Sequence, residues 1–192
     1  MFTGKILYYN DRESWRQWLI EHHDCERECW LTVKKRKPAA EAVLYYLDAV
    51  EEALYFGWID STNRTLNGQT LQRFSPRKKS SPWSELNIER CRRLEKLGLM
   101  TNAGRKVLPK MVGMEDFTID KDIMEAFRQS PTAWKKFQTF PELYRRIRID
   151  TIQRDKRKDI TLFRKRLKRL VQQSAQGKVF GDWNDYGRLQ GH

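Results

Sequence analysis

The chain reads as an α+β protein: a small antiparallel sheet with packed helices in the N-terminal part, followed by a C-terminal helical bundle. Three observations lead there. The β-rich run Cys29–Val33 and the turn signal Asn67-Gly68, set between two extended segments, both fall in the first half. The cleanest helical stripe, Ile160, Phe163, Leu167, Leu170 and Val171, lies near the end.

Taken in order, Ile6 to Tyr9 predicts a short strand or an extended lead-in. Asn10 or Asp11 then caps a helix in which Trp15, Trp18, Leu19 and His22 share a face. Cys29 to Val33 is a strand running into the Lys34–Lys37 run and Pro38. Ala39 to Phe56 predicts a helix with Val43, Leu47, Val50 and Leu54 buried, and Gly57 stops it. Trp58-Ile59-Asp60 begins a strand that returns from Asn67-Gly68 through Gln69 to Phe74. Ser75 to Pro82 is a basic loop. Helices follow over about Ser84–Leu97, ending at Gly98, and Asn102–Leu108. The composition shifts at a linker, Asp116–Asp120. Lys121–Gln129 is helical, Ser130-Pro131 opens a short helix with proline in its first turn, and Phe140-Pro141 opens another that runs to about Lys158. These elements group as an α+β domain over 1–115, a basic helical portion over 116–178 packed on it, and a loose tail over 179–192 in which Trp183 is the residue able to dock.

The size of 192 residues suits one domain or a domain with a helical appendage. Seven Trp, seven Tyr and nine Phe supply buriable surface that a disordered chain lacks. The net charge of +13 points to anionic partners. It is also unevenly spread: residues 60–110 hold 12 Lys+Arg against 4 Asp+Glu, and residues 141–178 hold 13 against 4. Three cysteines, Cys25, Cys29 and Cys91, form no regular framework, which fits free thiols in a reducing compartment. With no apolar run of about 20 residues and no signal peptide at the N-terminus, the expected location is the cytoplasm.

The densest chemistry lies between Glu51 and Arg93. A helix start at Ser84-x-x-Asn87 follows directly on Arg73, Arg77, Lys78 and Lys79. Free N–H groups at a helix start attract phosphate or carboxylate, and Arg73 and Arg77 could add bidentate contacts. Trp58 and Trp83 would provide flat walls, and Asp60 would orient an arginine or accept from the ligand. The expected ligand-binding set is therefore Trp58, Asp60, Arg73, Arg77, Trp83, Ser84 and Asn87. The same residues also suit an internal network in which Asp60 pairs with Arg73 and both indoles pack under the loop.

Catalysis has less support in the sequence. His22 and His23 near one helix end, and Glu51 and Glu52 on another helix, are not brought together by spacing. No Ser–His–Asp arrangement, P-loop, G-x-G-x-x-G or H-E-x-x-H is present. Cys25-x-x-x-Cys29 beside His22 and His23 lacks a second ligand pair for zinc, so neither a metal nor a cofactor is expected. The arginines and lysines from Arg145 to Lys158 and from Arg164 to Arg169 could instead grip a phosphate backbone without sequence preference, as nucleic-acid binders do, or form solvated helix faces.

Several stretches resemble the YdeI/OmpD-associated, or bacteriocin-protection, family. They are W-x-x-W-L-x-x-H-H at Trp15 to His23, W-L-x-x-x-K at Trp30 to Lys35, the run ending F-G-W-I-D at Ala49 to Asp60, and R-F-S-P-R-K-K-S-S-P-W-S-E-L-N at Arg73 to Asn87. G-x-M-T-x-A-G at Gly98 to Gly104 and the helical portion from about Pro131 to Gln173 fit as well. The chain departs from the family pattern at Tyr55, often cysteine there, and at Ser61, often glycine, and its acidic segment around Val112–Asp120 is shortened. The family name implies a role in resistance to bacteriocins or cationic antimicrobial peptides and brings no catalytic residues with it. The resulting expectation is a cytoplasmic, non-catalytic binding protein for a small anionic ligand or an acidic peptide, with non-specific nucleic-acid binding as the alternative.

Overall fold

The computed structural model describes residues 4–36, 43–109 and 117–190. The chain divides into two compact units, Met1–Pro82 with Arg90–Pro109 and Trp83–Glu89 with Lys110–His192.

The first unit is α+β. Its strands are β1 (Lys5–Leu7), β2 (Cys29–Thr32), β3 (Trp58–Leu66) and β4 (Gln69–Pro76), in the order β1-β2-β4-β3. The sheet is mixed, which corrects the expectation of an antiparallel one: β1 runs parallel to β2, pairing Lys5 with Cys29 and Leu7 with Leu31. Helix α1 (Arg12–His22) lies between these strands and supplies the crossover that parallel pairing requires. Asp11 caps α1, accepting from the Ser14 N–H at 2.8 Å. At the β3–β4 turn Asn67 and Gly68 both have positive φ, 49° and 75°, as a two-residue hairpin needs. The β3–β4 register shifts between Asp60 and Asn63, a bulge that leaves Ser61 to Thr65 exposed.

Helix α2 spans Tyr46–Tyr55, shorter than the sequence suggests. Residues 37–42 lie outside the described residues. Val43 to Tyr45 precede the helix because their backbone pairs with the continuation of β2: the Lys34 N–H donates to the Leu44 carbonyl at 3.0 Å, and the Tyr46 N–H to the Lys34 carbonyl at 2.8 Å. Gly57, at φ +74°, ends the turn after α2. Helix α3 (Glu85–Lys96) starts in the second unit and ends in the first, and α4 (Asn102–Lys106) completes the helices here.

The core of this unit is aromatic. Trp15 stacks on Trp18 at 5.2 Å between ring centroids and tilts against Phe74 at 5.4 Å. The Trp15 indole N–H donates to the Ala49 carbonyl at 3.1 Å, so its one polar group is satisfied. Gly104 is buried beside the end of α2. A Cβ there would lie 2.3 Å from the Tyr55 carbonyl oxygen and 2.8 Å from the Met100 methyl carbon.

Between α1 and α2 lies a charged cluster. Glu52 is fully buried and accepts from Arg12 Nε at 2.8 Å and from Arg16 Nε at 2.7 Å and Nη2 at 2.8 Å. Glu51, also buried, pairs with Arg12 Nη2 at 3.1 Å and Arg93 Nη1 at 3.0 Å. Arg12 further reaches Asp48 and the Tyr55 hydroxyl, each at 3.1 Å. Burial works against the Arg12 cation, but Glu52, Glu51 and Tyr55 outweigh it and raise its pKa.

The second unit is helical: α5 (Lys121–Arg128), α6 (Pro131–Gln138), α7 (Glu142–Lys156) and α8 (Ile160–Ala175). Phe127, Phe137, Tyr144, Phe163 and Leu170 form its core. Residues 176–190 carry no helix or strand, yet Trp183, Asp185 and Leu189 among them are buried. Trp183 meets Tyr144 edge-on at 5.6 Å.

Arg12→Met should cost roughly 2 kcal/mol because it removes the cation shared by two buried carboxylates, each left with one arginine, whereas Arg16→Met, at a more exposed residue that pairs with Glu52 and lies over the Tyr55 ring, should cost about 1 kcal/mol. Urea denaturation checks the order; equal losses would contradict it. Gly104→Ala should cost about 1–3 kcal/mol by forcing backbone apart, read as a fall in the urea midpoint.

Candidate functional site

Four of the expected ligand-binding residues, Trp58, Asp60, Arg73 and Arg77, belong to the first unit. Trp58, at the start of β3, is 0% exposed. Its indole N–H donates to the His23 carbonyl at 2.9 Å, and its ring meets Trp18 edge-on at 5.6 Å. It is a core side chain and not an open wall, because a strand beginning beneath α1 turns its large ring inward. Asp60 accepts from the Tyr46 hydroxyl at 2.6 Å. Arg73 pairs with Glu28 through Nε, at 2.9 Å, and through Nη2, and its Nη1 donates to the Ser61 hydroxyl at 3.2 Å. The pairing of Asp60 with Arg73 considered from the sequence is thus replaced by two separate contacts, Asp60–Tyr46 and Arg73–Glu28. Arg77 is buried and donates through Nη1 to the Pro82 carbonyl at 3.2 Å and the Ser81 carbonyl at 3.5 Å. Burial lowers its pKa, opposed by electrostatic interaction with Cys91 and Asp60.

The other three, Trp83, Ser84 and Asn87, belong to the second unit. Trp83 is half-buried. Ser84 acts as a helix cap, its hydroxyl accepting from the Asn87 N–H at 3.2 Å. The next free donor, the Glu85 N–H, goes to the Asp150 carboxylate at 3.2 Å. The positive end of α3 therefore already meets an anion, and that anion is the chain's own. Arg146 reinforces this region, reaching Glu85 at 2.7 Å and Glu89 at 3.1 Å. Burial raises the pKa of Asp150, against the opposing pull of Arg154 and the Glu85 N–H.

The acid–base candidates also have structural partners. His22 and His23 set their Nδ1 atoms 2.9 Å from the carbonyls one turn back, of Trp18 and Leu19, and His22 stacks on Trp18 at 4.8 Å. Glu51 and Glu52 are held by arginines as described. Cys91 is buried, which pushes its thiol up to about 12. Cys29 is buried while Cys25 is exposed, and no three His, Cys, Asp or Glu among the described residues gather as metal ligands.

Sequence reasoning passed over a basic cavity. In the first unit a hollow of about 630 Å³ is lined by Tyr8, Asn10, Lys34, Lys35, Arg36 and Thr70, among others. Lys34, Lys35 and Arg36 are exposed, and none of the ion pairs among the described residues uses them. The signal was present as the Lys34–Lys37 run, but read along the chain it marks only the end of a strand. The fold brings it beside the β3–β4 turn and the residues that precede α1.

Asp150→Asn keeps an oxygen for the Glu85 N–H and removes a charge that burial disfavours, so stability at neutral pH should hold or rise by about 1 kcal/mol. The sign follows from the raised folded pKa: wild type gains stability as pH falls through that value toward the ordinary aspartate pKa of about 3.9. Urea midpoints of the two proteins should therefore converge on acidification; divergence would contradict the assignment.

Residues 7–107 match the family model described as Domain of unknown function (DUF8412), and residues 116–177 match the one described as Bacteriocin-protection, YdeI or OmpD-Associated. The second match bears out the resemblance read from the sequence and locates it in the C-terminal part. The motif-bearing stretches from Trp15 to Asn87 lie within the first match. No curated protein and no solved structure matches the chain. The first match covers more than half of the 192 residues: the chain belongs to the family described as Domain of unknown function (DUF8412), and its C-terminal part matches the YdeI or OmpD-associated, bacteriocin-protection model.

Proposed function

We propose that the protein is a cytoplasmic, non-catalytic binding protein for a small anionic ligand or an acidic peptide, acting in a role related to bacteriocin protection. The match over residues 116–177 supports the role. The net charge of +13 supports the sign of the ligand. The observation that carries the reading is the cavity of about 630 Å³ in the first unit, with three exposed cations in its lining. A concave site with few convergent polar groups is the usual form of a ligand pocket. In this reading Lys34, Lys35 and Arg36 meet the anion. Trp58, Asp60, Arg73 and Arg77 form a supporting network that holds β3 and β4 in place.

The nucleic-acid alternative keeps one supporting observation: Arg164, Lys165, Arg166, Lys168 and Arg169 of α8 are all exposed. Of these, Arg166 pairs with Asp155, and the exposed charges of the others can approach a phosphate backbone.

Titration calorimetry with a hexaglutamate peptide and with pyrophosphate tests the proposal. Wild type should bind at least one of them, and Lys34→Ala/Lys35→Ala/Arg36→Ala should weaken binding by about tenfold or more, roughly 1.4 kcal/mol, with an unchanged melting temperature. Lys78→Ala/Lys79→Ala, which removes exposed charge elsewhere, should bind like wild type. Undiminished binding by the triple variant would overturn the reading. Strong, salt-sensitive retardation of DNA fragments with no binding of either probe would move the function to the α8 surface.

A further inference from the structure

A second basic cavity, independent of the first, lies within the helical unit. Its volume is about 250 Å³, and its lining comes from three consecutive pieces of chain: Arg148, Thr151 and Ile152 on α7, Arg166 and Arg169 on α8, and Phe180 and Gly181 just after α8. Residues three or four apart on a helix share a face, so each helix offers its residues together.

Arg148 is the central group. Its guanidinium carbon lies 5.6 Å from the Tyr144 ring centroid and 4.9 Å from that of Phe180. Arg169 approaches the same Phe180 ring at 4.5 Å. The backbone closes in as well: a Cβ at Gly181 would fall 2.3 Å from Arg148 Nη2, so the guanidinium tip occupies the space a side chain there would take. The Nε of Arg148 is buried and has no hydrogen-bond partner. Burial lowers the Arg148 pKa, and the charges of Arg169 and Arg166 lower it further, against Tyr144 and Asp182.

The charge balance around this cavity is incomplete. Asp155 takes the Arg166 guanidinium. Asp182 is exposed, and its carboxylate accepts from the Tyr186 hydroxyl at 3.0 Å. No ion pair among the described residues engages Arg148 or Arg169. Arg148 is half-buried and Arg169 exposed; aromatic faces attract such cations but do not neutralise them, and their like charges repel at short range. Thr151 adds no free donor, since its hydroxyl donates to the Ile147 carbonyl at 2.7 Å. Two guanidinium groups without an ion-pair partner among the described residues therefore face one small space.

We infer that this cavity is an oxyanion site for a small phosphate monoester, with Arg148 gripping the phosphate from the protein side and Arg169 and Arg166 from the solvent side. The planar guanidinium fork matches phosphate oxygens. A monoester carries a charge of about −1.5 to −2 at neutral pH, which equals the two cations left without partners. At a share of about 30 Å³ per water, the cavity has the room of roughly eight waters, enough for a phosphate and a short carbon chain. A nucleotide base would have to lie outside it.

The test uses the full chain, glycerol 3-phosphate, inorganic phosphate and acetate, with calorimetry and the arginine Nε–H resonances in ¹H–¹⁵N spectra as readouts. Glycerol 3-phosphate should bind more tightly than inorganic phosphate and shift the Arg148 Nε–H resonance, and acetate should bind at least about tenfold more weakly. Arg169→Gln alters an exposed side chain, so the melting temperature should hold while binding falls by about tenfold or more. Lys34→Ala/Lys35→Ala/Arg36→Ala should bind glycerol 3-phosphate like wild type, which separates this site from the cavity of the first unit. Undiminished binding by Arg169→Gln, equal binding of acetate, or no binding of glycerol 3-phosphate at millimolar concentration would overturn the assignment. Tighter binding of inorganic phosphate would make free phosphate the ligand and overturn the monoester. DNA retardation lost in Arg166→Gln/Arg169→Gln, without glycerol 3-phosphate binding, would make the same arginines part of a nucleic-acid surface instead.

Discussion

Two carboxylates with almost no access to water, Glu51 and Glu52, set the terms for the first unit. A helix that buries adjacent acids can dock only where cations meet it, and Arg12, Arg16 and Arg93 do so. Arg12 and Arg16 lie on α1 and Arg93 on the last turns of α3, so the requirement gathers three helices around one pair of charges. Hydrophobic burial alone would let α1 slide or rotate over α2. Paired charges with directional hydrogen bonds do not, because any slippage leaves an ion without its partner in a medium of low dielectric. The aromatic layer of Trp15, Trp18 and Trp58 is then packed against helices whose positions are already settled.

Much of this architecture is legible along the chain, and the reasons are local. Asp11 as a cap, Asn67-Gly68 as the hairpin turn and the stripe of α8 depend on residues within a turn or two of one another. The parallel pairing of β1 with β2 is not local, and the alternating pattern of so short a strand carries no direction. The start of α2 was hidden for a similar reason. Val43 to Tyr45 have good helical neighbours, yet Lys34, about ten residues earlier, claims their backbone.

The expected binding set shows where sequence reasoning about charge stops. Arg73 and Trp58 stand out as unbalanced and aromatic only while their partners are unknown. Glu28, 45 residues away from Arg73, and His23, 35 away from Trp58, supply those partners in the fold. Asp150 does the same for the start of α3 at a separation of 65. The reverse holds at Lys34–Arg36 and at Arg148 and Arg169. Those positions look like ordinary solvated cations in the sequence, and the fold gathers them without supplying carboxylates to match. Charge left over after folding, and not charge density along the chain, is therefore what singles these positions out.

The bulge between Asp60 and Asn63 bears on edge-to-edge strand pairing. β3 is an outer strand of the sheet, and its unpaired margin runs through Ser61, Thr62, Asn63, Arg64 and Thr65. A flat, greasy margin would recruit strands from neighbouring molecules, whereas a twisted, polar one carrying a cation discourages them. At the other margin, β1 is only three residues long and offers little to pair with. Both borders of this aromatic-rich sheet thus offer little to an incoming strand.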